Sequence, residues 1–497
     1  MQKYEVNIVE ERIVMPYAPI LVESTRSIGY SFEAAVADII DNSISAAATE
    51  VRVCFSSKDP QWLCIEDDGW GMTPRELENA MRYGSQSSTD KRRTEDLGRF
   101  GLGLKMASMS QCRKVTVITK KDGTTCAACW DLDYIIHQEN WSLQFFPESE
   151  IEELPGYLYL KLKESGTVVI WEEFDRLKQG ASKVQKAFDE KIELTRKHIS
   201  LVFHRFLNDE NPKNRLAMYF NGEAVKGIDP FLTKHPATQP LSEQVLRIAS
   251  DEIRVKPYVL PYISKLSKQD IAAIGGKEEL RQQQGFYIYR NKRLIIWGTW
   301  FRLIKHNELG KLARVRVDIP NSLDHIWEID IKKSRASLPH FIKKNLVDIV
   351  ENTVGRSERV YKYRGRNVQT DNLVHVWNPI DDRGRFQYQI NRQLPVIQML
   401  EANLNEGGGA ILEAFIKMLE DAFPYSDVYY RMAKSEANVT EGALETNEVY
   451  GMAEQMVHQI ESMGGDVVAF LKTMDKMDFF IKYPDVVSQI REVYGND

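Results

Sequence analysis

The spacing of apolar residues changes several times over the first third of the chain, and each change predicts an element. In SFEAAVADIIDNSISAAA, Val36, Ile40 and Ile44 recur every fourth residue and predict a helix with an apolar back. Residues 51–67 (VRVCFSSKDPQWLCIED) predict two strands joined by a Ser/Pro/Asp turn. KVTVITKKDGTTCAACWDLD predicts a hairpin turning on Lys-Asp-Gly, and YLYLKL and GTVVIWEEF predict further strands. A helix first and antiparallel strands afterwards, without alternating βαβ units, indicate an α+β layer.

Residues 179–207 predict a long helix. The strand-like runs RLAMYFNGEAV, VLRIASDEIRVKPYVLP, GFYIYRNKRLIIW and ARVRVDIP follow, and then the helix HFIKKNLVDIVENTV. Together these predict a second α+β domain. GRSERVYKYRGRN is basic and reads as a linker or exposed arm, and from about residue 390 the pattern is helical. The expected organisation is therefore domains over 1–178, 179–355 and 391–497, with an arm over 356–390.

Composition narrows the picture modestly. A chain of 497 residues is too long for one core. A net charge of −6 gives no global pull toward nucleic acid or anionic membrane, so any DNA contact must come from local basic patches. No run approaches the roughly 18 apolar residues of a membrane span, and the charged N-terminus lacks a signal core. A reduced cytoplasmic compartment is expected. Cys126 and Cys129 form a lone CxxC inside a strand-like run, with no partner pair at metal-ligand spacing, and read as small buried residues.

Four pieces carry candidate chemistry. In Asp38-Ile-Ile-Asp41-Asn42, Asp38 and Asn42 share a helical face, where a carboxylate can orient water and an amide oxygen can ligate Mg²⁺. In Asp67-Asp68-Gly69-Trp70-Gly71-Met72, an acceptor at a strand end can take an adenine N–H, and the glycines let backbone approach a flat ring. Gly98-Arg99-Phe100-Gly101-Leu102-Gly103-Leu104-Lys105 opens a helix whose free N–H groups, dipole and lysine suit phosphates. Gly166-Thr167 enters a strand, where the hydroxyl can hold a water near Asp67. Each piece alone has a bland reading as a polar helix face, a tight turn, a glycine-rich loop or a strand threonine.

Together, over residues 28–171, the four resemble the N, G1 and G2 boxes and closing Gly-Thr of the GHKL (Bergerat-fold) ATPase superfamily. The wording DDGWGM…GRFGLGLKMASMS is most similar to MORC and its prokaryotic relatives, with MutL also related. The resemblance implies a Bergerat-fold α/β sandwich, a transducer-like (ribosomal S5-like) α+β domain and a helical C-terminal region. It implies ATP and Mg²⁺, with Asp38 orienting water, Asn42 holding the metal and Asp67 reading adenine beside Gly69, Gly71 and Met72. Gly98, Arg99, Phe100, Gly101, Leu102, Gly103 and Lys105 would hold phosphates, with Thr167 beneath the base. Where the superfamily has a glutamate base this chain has Asp38, one methylene shorter and displaced by about 1.5 Å, which implies either slow hydrolysis or a helix that sits closer to the phosphates. Glu33 lies about 140° around the helix and is a poor substitute.

The resemblance further implies an ATP lid between Gly84 and Gly98, with Lys91, Arg92 and Arg93 on phosphate, on DNA or simply solvated. It implies a transducer lysine, Lys333 ahead of Lys332. It also implies homodimerisation on nucleotide, DNA as the clamped partner, and a role in restriction or phage defence. Tyr289, Arg290, Lys292 and Arg293 of YRNKRLI, and the arm carrying Arg356, Arg359, Lys362, Arg364 and Arg366, are candidate DNA contacts. For YRNKRLI, the competing reading is an edge strand guarded by charge. The C-terminal helices are candidates for docking partner proteins, and His458 reads as structural. The rival functions are a chaperone-type ATPase and an interaction module that barely hydrolyses ATP.

Overall fold

The computed structural model describes residues 16–495 except 28, 84–96, 98–102, 179–182, 249–250, 277–278, 309, 325–326, 328–339, 363–373, 383–384 and 429–443. The chain divides into two compact units, 1–362 and 363–497.

In the first unit, helix α1 (Ala18–Arg26) precedes helix α2 (Phe32–Ser45). The Ser31 hydroxyl accepts from Ala34 N and starts α2, a cap worth about 1 kcal/mol. The strands β1 (Glu50–Ser56), β2 (Trp62–Asp67), β3 (Lys114–Lys121), β4 (Thr124–Asp131), β5 (Gln144–Phe145), β6 (Gly166–Glu172), β7 (Ala217–Phe220) and β8 (Glu223–Ala224) form one sheet. Their order is β5-β4-β3-β6-β2-β1-β7-β8. Val51 faces Asp67 in the β1–β2 pair, and the β3–β4 hairpin turns within the expected Lys-Asp-Gly, with positive φ at Asp122 and Gly123. One face of the sheet is covered by α2, by helix α3 (Pro74–Met81), by helix α4 (Gly103–Gln111) and by the long helix Val184–Val202, around Phe32, Val36, Ile40, Leu63, Trp171 and Phe188.

The other face corrects one expectation. Tyr157–Lys161 of YLYLKL is a short helix, not a strand. Tyr159 and Leu160 are adjacent and buried while Leu158 and Leu162 are 72% and 87% exposed, a distribution that a strand's alternation does not give. Gly156 at φ 83° turns the chain into this helix, and Leu160 then packs on Ile118, Val168 and Ile170.

A second correction concerns β7 and β8. Read from sequence as part of the second domain, they instead extend the first sheet, β7 running parallel to β1 with Val51 opposite Met218. The second sheet is built from β9 (Gln239–Pro240), β10 (Gln244–Ile248), β11 (Asp251–Val259), β12 (Gly285–Arg290), β13 (Arg293–Thr299) and β14 (Ala313–Ile319), in the order β10-β11-β14-β12-β13, with β9 on β11. One face packs on Trp300, Trp327 and the helix His340–Lys362, while Tyr287, Tyr289 and Leu294 join the core shared with the first sheet. That helix carries on through residues 356–362, which were read as the start of an arm. There Arg356 is exposed, while Arg364 and Arg366 lie outside the described residues.

The second unit contains a hairpin, Trp377–Asp382 with Arg385–Ile390, where a linker was expected. Among the described residues the helices Pro395–Asn403, Glu406–Asp421, Thr446–Ser462, Val467–Met474 and Pro484–Tyr494 follow, around Val449, Ala453, Phe470 and Val487. His458 lies between Glu461 and the Tyr494 hydroxyl, a local surface contact. Among the described residues no helix is long and apolar enough to cross a membrane.

Candidate active site

The site forms where α2, the end of β2 and the start of α4 meet. On α2, Phe32, Ala35, Val36, Ile39 and Ile40 go into the core, which fixes the rotation of the helix and the direction of its polar residues. Asp38 is buried, and a Cβ placed on Gly103 would stand 3.9 Å from its Oδ2, so the carboxylate faces the first turn of α4. One turn on, Asn42 is exposed.

Asp67 and Asp68 are adjacent in sequence and opposite in role. Asp68 accepts from Thr49 N, Thr49 Oγ1 and Glu50 N at 2.7–2.8 Å and ties β1 to the turn after β2. Asp67 is buried at the head of the site. Its Oδ1 accepts from Gly69 N at 3.0 Å and Thr167 N at 3.2 Å, and its Oδ2 from Ser43 Oγ at 2.7 Å. With two acceptor positions per oxygen, one remains, on Oδ2. Burial raises the carboxyl to about 6 against the opposing pull of these three donors, the largest from Ser43.

The chain's own packing requires glycine at both positions that follow Asp67 in this motif. Gly71 has φ +64°, and a Cβ there would lie 1.9 Å from Lys120 O. A Cβ on Gly69 would lie 2.8 Å from that of Ala46. Met72 N donates to Thr119 Oγ1 at 2.8 Å, and Thr119 Oγ1 lies 3.2 Å from the Thr167 hydroxyl and 3.0 Å from Gly166 O. Thr119 on β3 and Ser43 on α2 were missed from sequence. A threonine in a strand and a serine in a helix carry no spacing signal; the β3–β6 register sets Thr119 opposite Thr167, and the packing of α2 brings Ser43 onto Asp67.

Lys105 does not stand free at the helix start. Its Nζ donates to Ala80 O at 2.9 Å and Arg82 O at 2.8 Å, binding the end of α3, and burial pushes its ammonium down to about 8. Gly98, Arg99, Phe100, Gly101 and Leu102 lie outside the described residues, as do Lys91, Arg92, Arg93, Lys332 and Lys333. Leu97 is described. It is buried, its N–H donates to Ser45 Oγ at 3.1 Å and its carbonyl accepts from Arg290 Nη1 at 3.0 Å.

Arg290 and Arg293 are not a surface for phosphates, contrary to one sequence reading. Both are buried, Arg290 on Asp324 and Arg293 on Asp41, while Lys292 at the turn pairs with Asp209. Tyr289 is buried and bonded to His204. The competing reading holds in part, since β13 ends the order of its sheet and Lys292 is exposed at the turn, while both guanidiniums face inward.

Residues 30–167 match the family described as Histidine kinase-, DNA gyrase B-, and HSP90-like ATPase. This segment is a GHKL ATPase domain, distantly similar to those of MORC ATPases and MutL. The chain is 31% identical over 109 residues to ATPase MORC2B of Mus musculus, covering 21% of this chain and 10% of that protein. It is 32% identical over 94 residues to ATPase morc-1 of Caenorhabditis elegans, covering 19% and 11%. To the DNA mismatch repair protein MutL of Rickettsia canadensis (strain McKiel) it is 29% identical over 90 residues, covering 18% and 15%. The matches thus span between 10% and 15% of these relatives' lengths.

Proposed function

We propose that the protein binds and slowly hydrolyses Mg-ATP, and that nucleotide closes it as a dimeric clamp on DNA. The observation that carries the ATP reading is Asp67, a buried carboxylate held by three donors with one acceptor position left for an adenine amine. Asn42, exposed on the face of α2 that also carries Asp38, fits a metal bound mainly by phosphate oxygens and water, since Mg²⁺ needs only one or two protein ligands. When bound, the metal neutralises phosphate charge. Asp38 takes a proton from the attacking water as its oxygen bonds to the γ-phosphorus and the bond to the β-phosphate oxygen breaks. The short Asp38 side chain makes this step slow. Gly98, Arg99, Phe100, Gly101, Leu102, Gly103 and the α4 N-terminus hold the phosphates, with Lys105 supporting the site from the α3 end it binds.

The second sheet is a transducer-like module of ribosomal S5-like type, with Lys333 or Lys332 as its sensor. DNA as partner is supported by the printed name of MutL, a DNA mismatch repair protein. The C-terminal helices dock partner proteins, and the setting is cytoplasmic defence, with five cysteines that stay thiols. The test is the ATPase rate with supercoiled, linear and single-stranded DNA at two salt concentrations. Salt-sensitive stimulation by DNA is expected. Stimulation by unfolded protein instead overturns the clamp reading, and failure to bind ATP overturns the whole.

A further inference from the structure

We infer that Arg290 and Arg293 are positioning residues that couple the nucleotide site to the second sheet. The inference rests on the ATP reading of that site. The two arginines close the β12–β13 hairpin as its last cross-strand pair, beside a two-residue turn at Asn291 and Lys292 with φ of 47° and 68°. Both arginines are thereby buried at one hairpin end. Each is neutralised by a carboxylate from elsewhere in the chain.

Arg293 Nε donates to Asp41 Oδ1 at 3.1 Å, its Cζ lies 4.7 Å from the Phe203 ring centroid, and Asp41 is the immediate neighbour of Asn42 on α2. Arg290 works in two directions. Its Nε donates to both oxygens of Asp324, at 2.8 and 3.0 Å, and its Nη1 to Leu97 O at 3.0 Å. Leu97 immediately precedes Gly98 and is also bonded to Ser45 at the end of α2. Asp324 stands eight residues before Lys332.

One hairpin end therefore grips α2 beside Asn42, the residue that leads into the glycine motif, and the start of the segment that carries the two lysines. A buried pair of like charges is tolerable only while both carboxylates stay in place. A displacement of α2 on nucleotide binding must then be followed by β12 and β13, and a displacement of Asp324 must act back on Leu97. Coupling of this kind is reciprocal, because one arrangement satisfies both ends.

The experiment uses the full chain with a non-hydrolysable ATP analogue and Mg²⁺. It compares wild type, Arg290→Met, Arg290→Lys and, as control, the exposed turn variant Lys292→Met. Hydrogen exchange over residues 285–299 is read with and without nucleotide, beside analogue affinity, KM and kcat. In wild type and Lys292→Met, nucleotide slows exchange in the hairpin. Arg290→Met binds the analogue within about threefold of wild type, loses the exchange response, and loses kcat by a factor on the order of ten to a hundred, as expected for misplaced reacting groups. Arg290→Lys, which keeps the charge but cannot span Leu97 O and Asp324 together, folds and gives an intermediate response, so the test does not depend on the methionine variant folding. A wild-type hairpin indifferent to bound nucleotide, or an Arg290→Lys with full response and full kcat, overturns the coupling alone. A wild type that binds no nucleotide removes the ATP reading and the coupling with it.

Discussion

Asp67→Asn isolates the proposed adenine contact with little disturbance to the fold. Asparagine keeps an oxygen where Oδ1 accepts from Gly69 N and Thr167 N. Its amide nitrogen then replaces Oδ2, and Ser43 Oγ, which donates to Asp67, can rotate to accept from it. The open acceptor position becomes an N–H aimed at the N–H of adenine. Loss of a hydrogen bond to a charged acceptor costs about 1.5–3 kcal/mol, so affinity falls roughly 10–150-fold. Stability moves the other way. The Asp67 carboxyl rises from 3.8 to about 6 on folding. At 1.36 kcal/mol per unit, keeping it ionised costs the fold roughly 3 kcal/mol. The folded state binds more protons than the unfolded, so this strain is absent below pH 3.8, grows as pH rises, and is complete above about 6. Asparagine removes it, and at pH 8 the variant is at least as stable as wild type. Calorimetric titration of Mg-ADP from pH 5 to 8 is the assay. The ratio of wild-type to variant affinities, which cancels the nucleotide's own titration, is constant above about pH 6 and shrinks below it by up to tenfold per unit. Equal affinities at pH 8, or a ratio that does not change with pH, refute the assignment.

Arg293→Met leaves Asp41 buried without its guanidinium and costs about 3–5 kcal/mol in chemical denaturation, most of which is regained in Arg293→Met with Asp41→Leu. A double variant as unstable as the single contradicts this account. Gly71→Ala places a methyl 1.9 Å from Lys120 O at positive φ and destabilises by clearly more than the roughly 1–2 kcal/mol of the φ penalty alone. Gly123→Ala, also at positive φ but with nothing within 4 Å, shows that penalty alone, and equal losses at the two positions count against the close-packing argument. Asp38→Ala lowers kcat by a factor on the order of 10²–10⁴ with nucleotide affinity retained, while Asp38→Glu turns over faster than wild type; a glutamate variant slower than alanine rules out Asp38 as base.

Sequence made legible those features that one segment determines. The α2 stripe, the Lys-Asp-Gly hairpin and the strand placement of Cys126 and Cys129 follow from local spacing and turn chemistry. YLYLKL was misread because its apolar residues fit either period, and packing beneath Gly156 decided for a helix. The site was half legible. Asp67 stood out through its glycines, although nothing local shows the packing against Ala46 and Lys120 that also requires them, whereas Ser43 and Thr119 depend on partners 24 and 47 residues away, Asp67 and Met72. Arg290 and Arg293 look in sequence like a surface charge run because nothing local names Asp324 or Asp41 as their counter-ions.

The parallel pairing of β7 with β1 has a practical consequence for dissecting the molecule. A fragment that stops at residue 178 loses the long helix over Phe32 and Trp171 and also bares the whole hydrogen-bonding edge of β1. Such an edge recruits other chains, so that fragment is expected to aggregate during expression. Carrying it to about residue 226 restores the border strand, but only a fragment through residue 362 also keeps Tyr287, Tyr289 and Leu294 in the shared core and Arg293 on Asp41.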